Sequence, residues 1–174
     1  MKRANVMRKP ILLAAAIATG LLLATPVAAQ AQPEPFTASF KGIQKLNDPP
    51  CAGGATFCGS GSVTGYGAAT YSGFPIALGP LEGSCQPLTA IALIELSDGT
   101  GSLTALADGS LCFPGKSRNA PGGLVSWGNP FRIDAAYDIA SGEGVFAGAD
   151  GAGTATLRGA GAQNQLEISG TLGP

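Results

Sequence analysis

The chain contains no histidine among its 174 residues, and only 12% of the residues are charged. Histidine is the side chain that most often acts as a general base near neutral pH, so a His-dependent catalytic triad is excluded. No serine lies in a G-x-S-x-G segment, and the four cysteines lack the C-x-x-C spacing of zinc and redox sites. The sequence therefore has no strong catalytic motif, and we expect neither a cofactor nor a metal.

Residues 1–31 have the pattern of an export signal. An uncharged apolar run over 11–25 and the small-x-small sequence of 29–31 follow four basic residues, Lys2, Arg3, Arg8 and Lys9. An uncleaved membrane anchor is the alternative, because 10–29 is long enough to span a bilayer. Gly20 and Pro26 interrupt that stretch. We therefore expect a signal peptide at 1–31, which is cleaved, and a secreted or periplasmic domain at 32–174.

Positive charge is scarce in the expected mature chain. Four of the ten basic residues and none of the eleven acidic ones lie in 1–31, so the remainder has six basic residues and a net charge of −5. A protein without a basic patch cannot neutralise a phosphate backbone. We therefore expect no nucleic-acid partner and, after cleavage of the signal, no membrane partner.

The composition of 32–174 predicts an all-β domain. Glycine is abundant, and Thr, Ser, Val, Ile, Tyr and Phe outweigh the long-chain helix formers. Glycines within a strand indicate bends or close backbone approach, as at the corners of a small barrel. The pattern predicts a single antiparallel β-barrel of about eight strands, with a β-sandwich as the alternative. The predicted strands are 36–41, 59–71, 88–96, 101–107, 124–127, 131–140, 153–159 and 165–172, with turn-rich loops at 74–86 and 116–123.

The four cysteines predict two disulfides in an oxidising compartment. Asp98-Gly99 between two apolar runs is typical of a hairpin whose two-residue turn has positive φ at both positions. A ladder extended from this turn places Cys85 opposite Cys112, which leaves Cys51 and Cys58 to close a small loop.

The same hairpin is apolar on both faces. Ile91, Leu93 and Leu106 lie on the face opposite to that of Leu96 and Leu103, where they mix with threonine, serine and glutamate. This two-sided pattern predicts a sheet within the body of the fold.

Residues 137–157 read YDIASGEGVFAGADGAGTATL. This segment resembles the signature of the allene oxide cyclase and dirigent-like barrels and of uncharacterised bacterial secreted relatives. In that signature a glycine-rich turn around one Phe joins two strands. The matching residues are Gly142, Gly144, Phe146, Gly148, Ala149 and Gly151. Val145 replaces the basic residue that is common before the Phe.

The resemblance implies an eight-stranded antiparallel barrel with an interior cavity for apolar or phenolic small molecules. It also implies a homo-oligomer, since members of the family often oligomerise. The family's catalytic and substrate-orienting residues have no match here, so no active site carries over.

Six residues are candidates for ligand binding: Tyr66, Tyr71, Trp127, Arg132, Asp134 and Asp138. Arg132, Asp134 and Asp138 lie on the same face of one predicted strand. This face is either the polar wall of a cavity or a solvated outer face with cross-strand charge pairing. The pattern favours the outer face. The aromatic residues either line a binding site or pack in the core, and core packing is the commoner role.

Three functions fit these observations. The first is an exported, non-catalytic barrel that binds a small apolar molecule or serves as an interaction module. The second is a cyclase or dirigent-type enzyme that steers a reactive intermediate by shape, and it needs Asp134, Asp138 or another carboxylate inside the cavity. The third is a structural protein of a surface or matrix. The missing catalytic groups favour the first.

Overall fold

The computed structural model describes residues 32–44, 51–114 and 130–173. The predicted signal peptide, the predicted loop at 116–123, the predicted strand at 124–127 and the candidate Trp127 lie outside these residues. The described strands are β1 (Glu34–Gln44), β2 (Phe57–Val63), β3 (Gly67–Leu78), β4 (Cys85–Leu96), β5 (Gly101–Cys112), β6 (Phe131–Gly144), β7 (Ala152–Ala160) and β8 (Gln163–Leu172). One 3-10 turn, Ala52–Gly54, precedes β2.

These strands form a closed antiparallel barrel in which each strand pairs with the next and β8 pairs with β1. The predicted all-β barrel is confirmed, and the sandwich alternative is wrong. Full closure satisfies the backbone groups of every strand without leaving a sheet edge. No helix among the described residues is long and apolar enough to cross a membrane.

Alternation of large apolar and polar residues directs one face of each strand into the barrel. Phe36 and Phe40 of β1 are almost fully buried, whereas the intervening Thr37 and Ser39 are exposed. The same alternation buries Ile133 and Tyr137 on β6 and Leu166, Ile168 and Leu172 on β8. The interior is therefore a packed apolar core in which aromatic rings occupy much of the space.

Two predicted segments near the start of the barrel are wrong. The stretch 59–71 is not one strand, because the chain turns at Thr64–Tyr66 between β2 and β3. Gly65 and Gly67 have φ of 83° and 98°, which glycine adopts without steric cost. The predicted loop at 74–86 is instead the end of β3, a short connection and the start of β4, with a bulge between Pro75 and Ala77.

The β4–β5 hairpin has the predicted register but a different turn. Cys85 pairs with Cys112 and Glu95 with Ser102, as expected. Only Gly99 has positive φ in the turn, and its N–H donates to the carbonyl of Leu96 at 2.9 Å. Asp98 instead keeps negative φ and accepts bonds from the N–H and hydroxyl of Thr100 at 3.0 and 2.7 Å. This Asx-type arrangement replaces the predicted two-residue turn.

Both predicted disulfides, Cys51–Cys58 and Cys85–Cys112, are present. The second joins residues 27 apart in sequence, the first only 7 apart. By restricting the unfolded chain they add about 2–4 kcal/mol each, with the longer loop contributing more. Two such bonds indicate an oxidising compartment.

The glycine-rich segment that carries the family resemblance forms the connection from β6 to β7. Phe146 is 1% exposed, and its ring lies 4.6 Å from that of Tyr66. Gly144 and Gly148 have φ of 62° and 77°, so the turns on either side of Phe146 need glycine. Of the other motif glycines, Gly142 lies within β6 and Gly151 lies in the connection, next to the start of β7.

Candidate functional site

The structure distributes the six sequence-predicted candidates over different parts of the barrel. Tyr71 lies inside, 3% exposed, and Tyr66 lies at the end that holds the β2–β3 turn. Arg132, Asp134 and Asp138 lie on the outer face of β6. These residues do not form one pocket.

Arg132 and Asp134 form an exposed ion pair on that outer face. The Nε and one terminal nitrogen of Arg132 donate to the two carboxylate oxygens of Asp134 at 2.5 and 2.7 Å. Thr156 of β7 donates to the same carboxylate at 2.9 Å. The bond from Arg132 is the main reason that the pKa of Asp134 is lowered. Each side chain is about half exposed, so water screens the pair and its contribution to stability is small.

Within the described part of the barrel lies a small apolar cavity of about 70 Å³. It exists because inward positions on five consecutive strands are occupied by small residues: Gly73, Ala90, Ala92, Ala107, Ala135 and Ala155. Sites for drug-sized ligands usually have about 300–1,000 Å³, and an apolar cavity that binds benzene has about 150 Å³. The interior therefore has room for a guest of only a few heavy atoms.

A short polar chain crosses the buried interior beside this cavity. The Tyr71 hydroxyl donates to the side-chain oxygen of Asn164, whose nitrogen donates to the carbonyl of Ile43 at 2.7 Å. Tyr137 is also buried, and its hydroxyl has no hydrogen-bond partner among the described residues. Burial raises the pKa of both tyrosines, because the phenolate would lose its hydration.

Tyr71→Phe tests this polar chain. The free energy of unfolding is expected to fall by about 1–2 kcal/mol at neutral pH, because the oxygen of Asn164 loses its donor. The native phenol stays protonated, whereas unfolded tyrosine ionises near pH 10. The Tyr71 hydroxyl therefore makes its full contribution to the free energy of unfolding below about pH 10, and this contribution is lost as pH rises towards the higher native pKa. Urea unfolding at several pH values should show a shallower alkaline decline for Tyr71→Phe.

Tyr66→Phe is the matched control, since it removes a hydroxyl from a side chain that is 38% exposed. At neutral pH its free energy of unfolding should be close to that of the unmodified protein. Equal alkaline slopes for Tyr71→Phe and Tyr66→Phe would contradict the assignment.

The most distinctive surface is apolar and lies on the outside of β3, β4 and β5. Cross-strand pairing places Phe74 beside Ile91 and Ile91 beside Leu106. Leu93 is two residues from Ile91 on the same side of β4, and Ile76 lies at the bulge of β3. Ile76 is 55% and Leu106 44% exposed. Phe74, Ile91 and Leu93 are half-buried. We call these five residues the outer apolar face, and apolar patches on a protein surface typically mark interaction sites.

The two-sided pattern of β4 and β5 was the sequence signal for this face. It predicted a sheet in the body of the fold, but here one side lines the interior and the other is the outside of the barrel. Phe74 and Ile76 were not identified because 74–86 was expected to be a loop.

Among the described residues, no cation borders the outer apolar face. The sequence from 51 to 114, which includes β2 to β5, contains no lysine or arginine. Glu95, Asp108 and Asp138 border the face and are exposed. Among the described residues the cations are Lys41, Arg132 and Arg158, on β1, β6 and β7. One side of the barrel is thus apolar and acidic, and the other is polar with charges of both signs.

The described interior has no acidic group. All ten carboxylates of the described residues are exposed, including the candidates Asp134 and Asp138. No group of three or more potential metal-ligating side chains occurs in the described part of the chain. The enzyme hypothesis, which needs a carboxylate within the cavity, has no such group among the described residues.

No family model, no curated protein and no solved structure matches this chain. The resemblance to the allene oxide cyclase and dirigent-like barrels therefore stays a prediction, and function is inferred from the surfaces and the cavity of the barrel.

Proposed function

We propose that the chain is exported through residues 1–31 and acts as a non-catalytic interaction module that docks through the outer apolar face. The observation that carries this proposal is the row of Phe74, Ile91 and Leu106 across three adjacent strands on the outside of a closed barrel. Burial of apolar area contributes about 25 cal/mol per Å², so covering this row would stabilise a complex.

The alternative within the same hypothesis, a small apolar ligand in the interior, has less support. The cavity of about 70 Å³ accepts a guest smaller than benzene unless the barrel expands. The membership in the allene oxide cyclase and dirigent-like family remains part of the proposal. It is supported by the eight-stranded barrel and by the buried Phe146 in the glycine-rich connection.

Site-specific photo-crosslinking in the native host tests the proposal. A photoreactive residue replaces Leu106 in one variant and Val145 in the other; Val145 is an exposed aliphatic residue on the β6–β7 connection, 57% exposed. We expect a covalent adduct with another macromolecule from position 106 and none from 145. The exported protein should have the intact mass of a disulfide-bonded chain that begins at Gln32.

Two results would count against the proposal. If neither position gives an adduct, or if both give the same adducts, the outer apolar face has no specific partner. If position 106 links only to residues 115–129 of its own chain, the face is covered internally.

A further inference from the structure

The charges around the outer apolar face specify what it binds. This inference rests on the proposed function, because it concerns the partner of the same face. Glu95, Asp108 and Asp138 lie on three adjacent strands, β4, β5 and β6, at the border of the face. Asp138 is the cross-strand neighbour of Leu106. Asp108 accepts a hydrogen bond from Thr89 at 2.6 Å, which holds its carboxylate at the surface of the same two strands.

No cation of the described barrel compensates these carboxylates locally. Arg132 of β6 is engaged by Asp134, and Arg158 of β7 is its cross-strand neighbour on the far side from β5. Lys41 lies on β1. A surface that is apolar in the centre, and whose described charged neighbours are all acidic, attracts positive charge and repels negative charge during docking.

A second copy of the chain does not satisfy this pattern. A two-fold symmetric dimer through the outer apolar face would place the same patch on both sides of the interface. The interface would then contain Glu95, Asp108 and Asp138 of both copies, with no cation of the described residues beside them. Such an arrangement of like charges opposes association. The polar, charge-mixed side formed by β6, β7 and β1 is no substitute, because it lacks a matching apolar row.

We propose that the partner of the outer apolar face is a protein or peptide surface in which apolar side chains are flanked by lysine or arginine. The apolar residues of the partner cover Phe74, Ile91 and Leu106, while its cations approach Glu95, Asp108 and Asp138. The apolar contact supplies most of the affinity, and the charges select the partner and accelerate association.

A pair of designed amphipathic helices tests the inference on the mature protein. Both peptides have about 18 residues, which is long enough to form a helix on docking. One has leucine on one face and lysine on the other, and its counterpart has glutamate in place of lysine. We expect calorimetry to show binding of the Leu/Lys peptide at least roughly tenfold tighter than that of the Leu/Glu peptide. The preference should shrink between about 50 and about 300 mM salt, because salt screens exposed charges.

Three variants separate the apolar contact from the charges. Leu106→Ser should weaken binding of the Leu/Lys peptide, whereas Val145→Ser, which changes an exposed aliphatic residue elsewhere, should leave it unchanged. The combined variant Glu95→Gln, Asp108→Asn and Asp138→Asn should abolish the preference for lysine. All three variants alter exposed side chains, and circular dichroism checks that each retains the fold.

Each contrary outcome has a distinct meaning. Equal binding of both peptides that is lost in Leu106→Ser overturns the cationic partner but leaves docking at the face intact. Binding of the Leu/Lys peptide that survives in Leu106→Ser places the contact elsewhere and overturns the inference. A dimer in native mass spectrometry that dissociates in Leu106→Ser identifies a second copy as the occupant. If the purified protein binds lipid vesicles with no other protein present, and Leu106→Ser abolishes this binding, the occupant of the face is a membrane.

Discussion

Gly42→Ala is expected to destabilise the barrel by roughly 4 kcal/mol or more, or to prevent folding. Gly42 of β1 pairs with Gly59 of β2, and the two backbones are in direct contact there. A Cβ on Gly42 would overlap the carbonyl oxygen of Cys58 and lie 2.6 Å from the Cα of Gly59. Both obstacles are backbone atoms, so no side-chain rotation relieves the clash. Because β1 also pairs with β8, any shift of β1 disturbs the closure of the barrel.

Gly73→Ala is the matched control for this prediction. Gly73 is also a strand glycine that faces the interior, but its added Cβ would lie 3.5 Å from the side chain of Phe57, an ordinary contact. The free energy of unfolding of Gly73→Ala should differ from that of the unmodified protein by less than about 1 kcal/mol. Denaturant unfolding with intact disulfides measures both variants. Similar midpoints for Gly42→Ala and Gly73→Ala would show that β1 and β2 separate easily.

Phe146→Ala is expected to lower the free energy of unfolding by about 3–5 kcal/mol. The ring is 1% exposed and packs against Tyr66, so its removal leaves a cavity between the β6–β7 connection and the β2–β3 turn. The N–H of Ala149 donates to the backbone carbonyl of Phe146 at 2.9 Å, so the ring anchors a residue about which the connection turns. Loss of the ring therefore loosens a connection that has no other large buried side chain.

Val145→Ala provides the comparison for Phe146→Ala at the neighbouring position. Val145 is 57% exposed, and its truncation should change stability by no more than about 0.5 kcal/mol. Thermal and denaturant unfolding give both values. If Phe146→Ala matched Val145→Ala, the aromatic ring would not anchor the connection, and the resemblance would lose its physical basis.

The sequence predicted the fold best where a strong local pattern agreed with a long-range constraint. The Asp98-Gly99 turn fixed which residues of β4 and β5 face each other, and this register placed Cys85 opposite Cys112 although the turn type was wrong. The strand β6 was predicted from the alternation of Phe131, Ile133 and Tyr137 with polar residues. In both places most residues on the inward side are apolar, with the buried Gln86 of β4 as an exception.

Other parts could not be obtained from the pattern. Glycine-rich stretches such as 59–71 lack the side chains that distinguish a continuous strand from a hairpin. Pro75 made its surroundings resemble a loop, although it lies within β3. The alternation on β6 identified Arg132, Asp134 and Asp138 as one face and favoured the outer side for it, but only closure of the sheet decides which side is enclosed. The outer apolar face likewise requires the register of three strands, β3 to β5.

The order of the strands has a consequence for how the chain folds. Seven of the eight strand pairs join neighbours in sequence, but the eighth joins β1 with β8, so that Glu34 lies beside Leu172. Contacts between distant residues form slowly, because closing a long loop costs entropy before any contact compensates for it. Until β8 docks, β1 and the last strand in place each expose a row of unpaired amide and carbonyl groups. Such open edges are templates for pairing with other chains, so the period before the seam closes is when this protein is most vulnerable to aggregation.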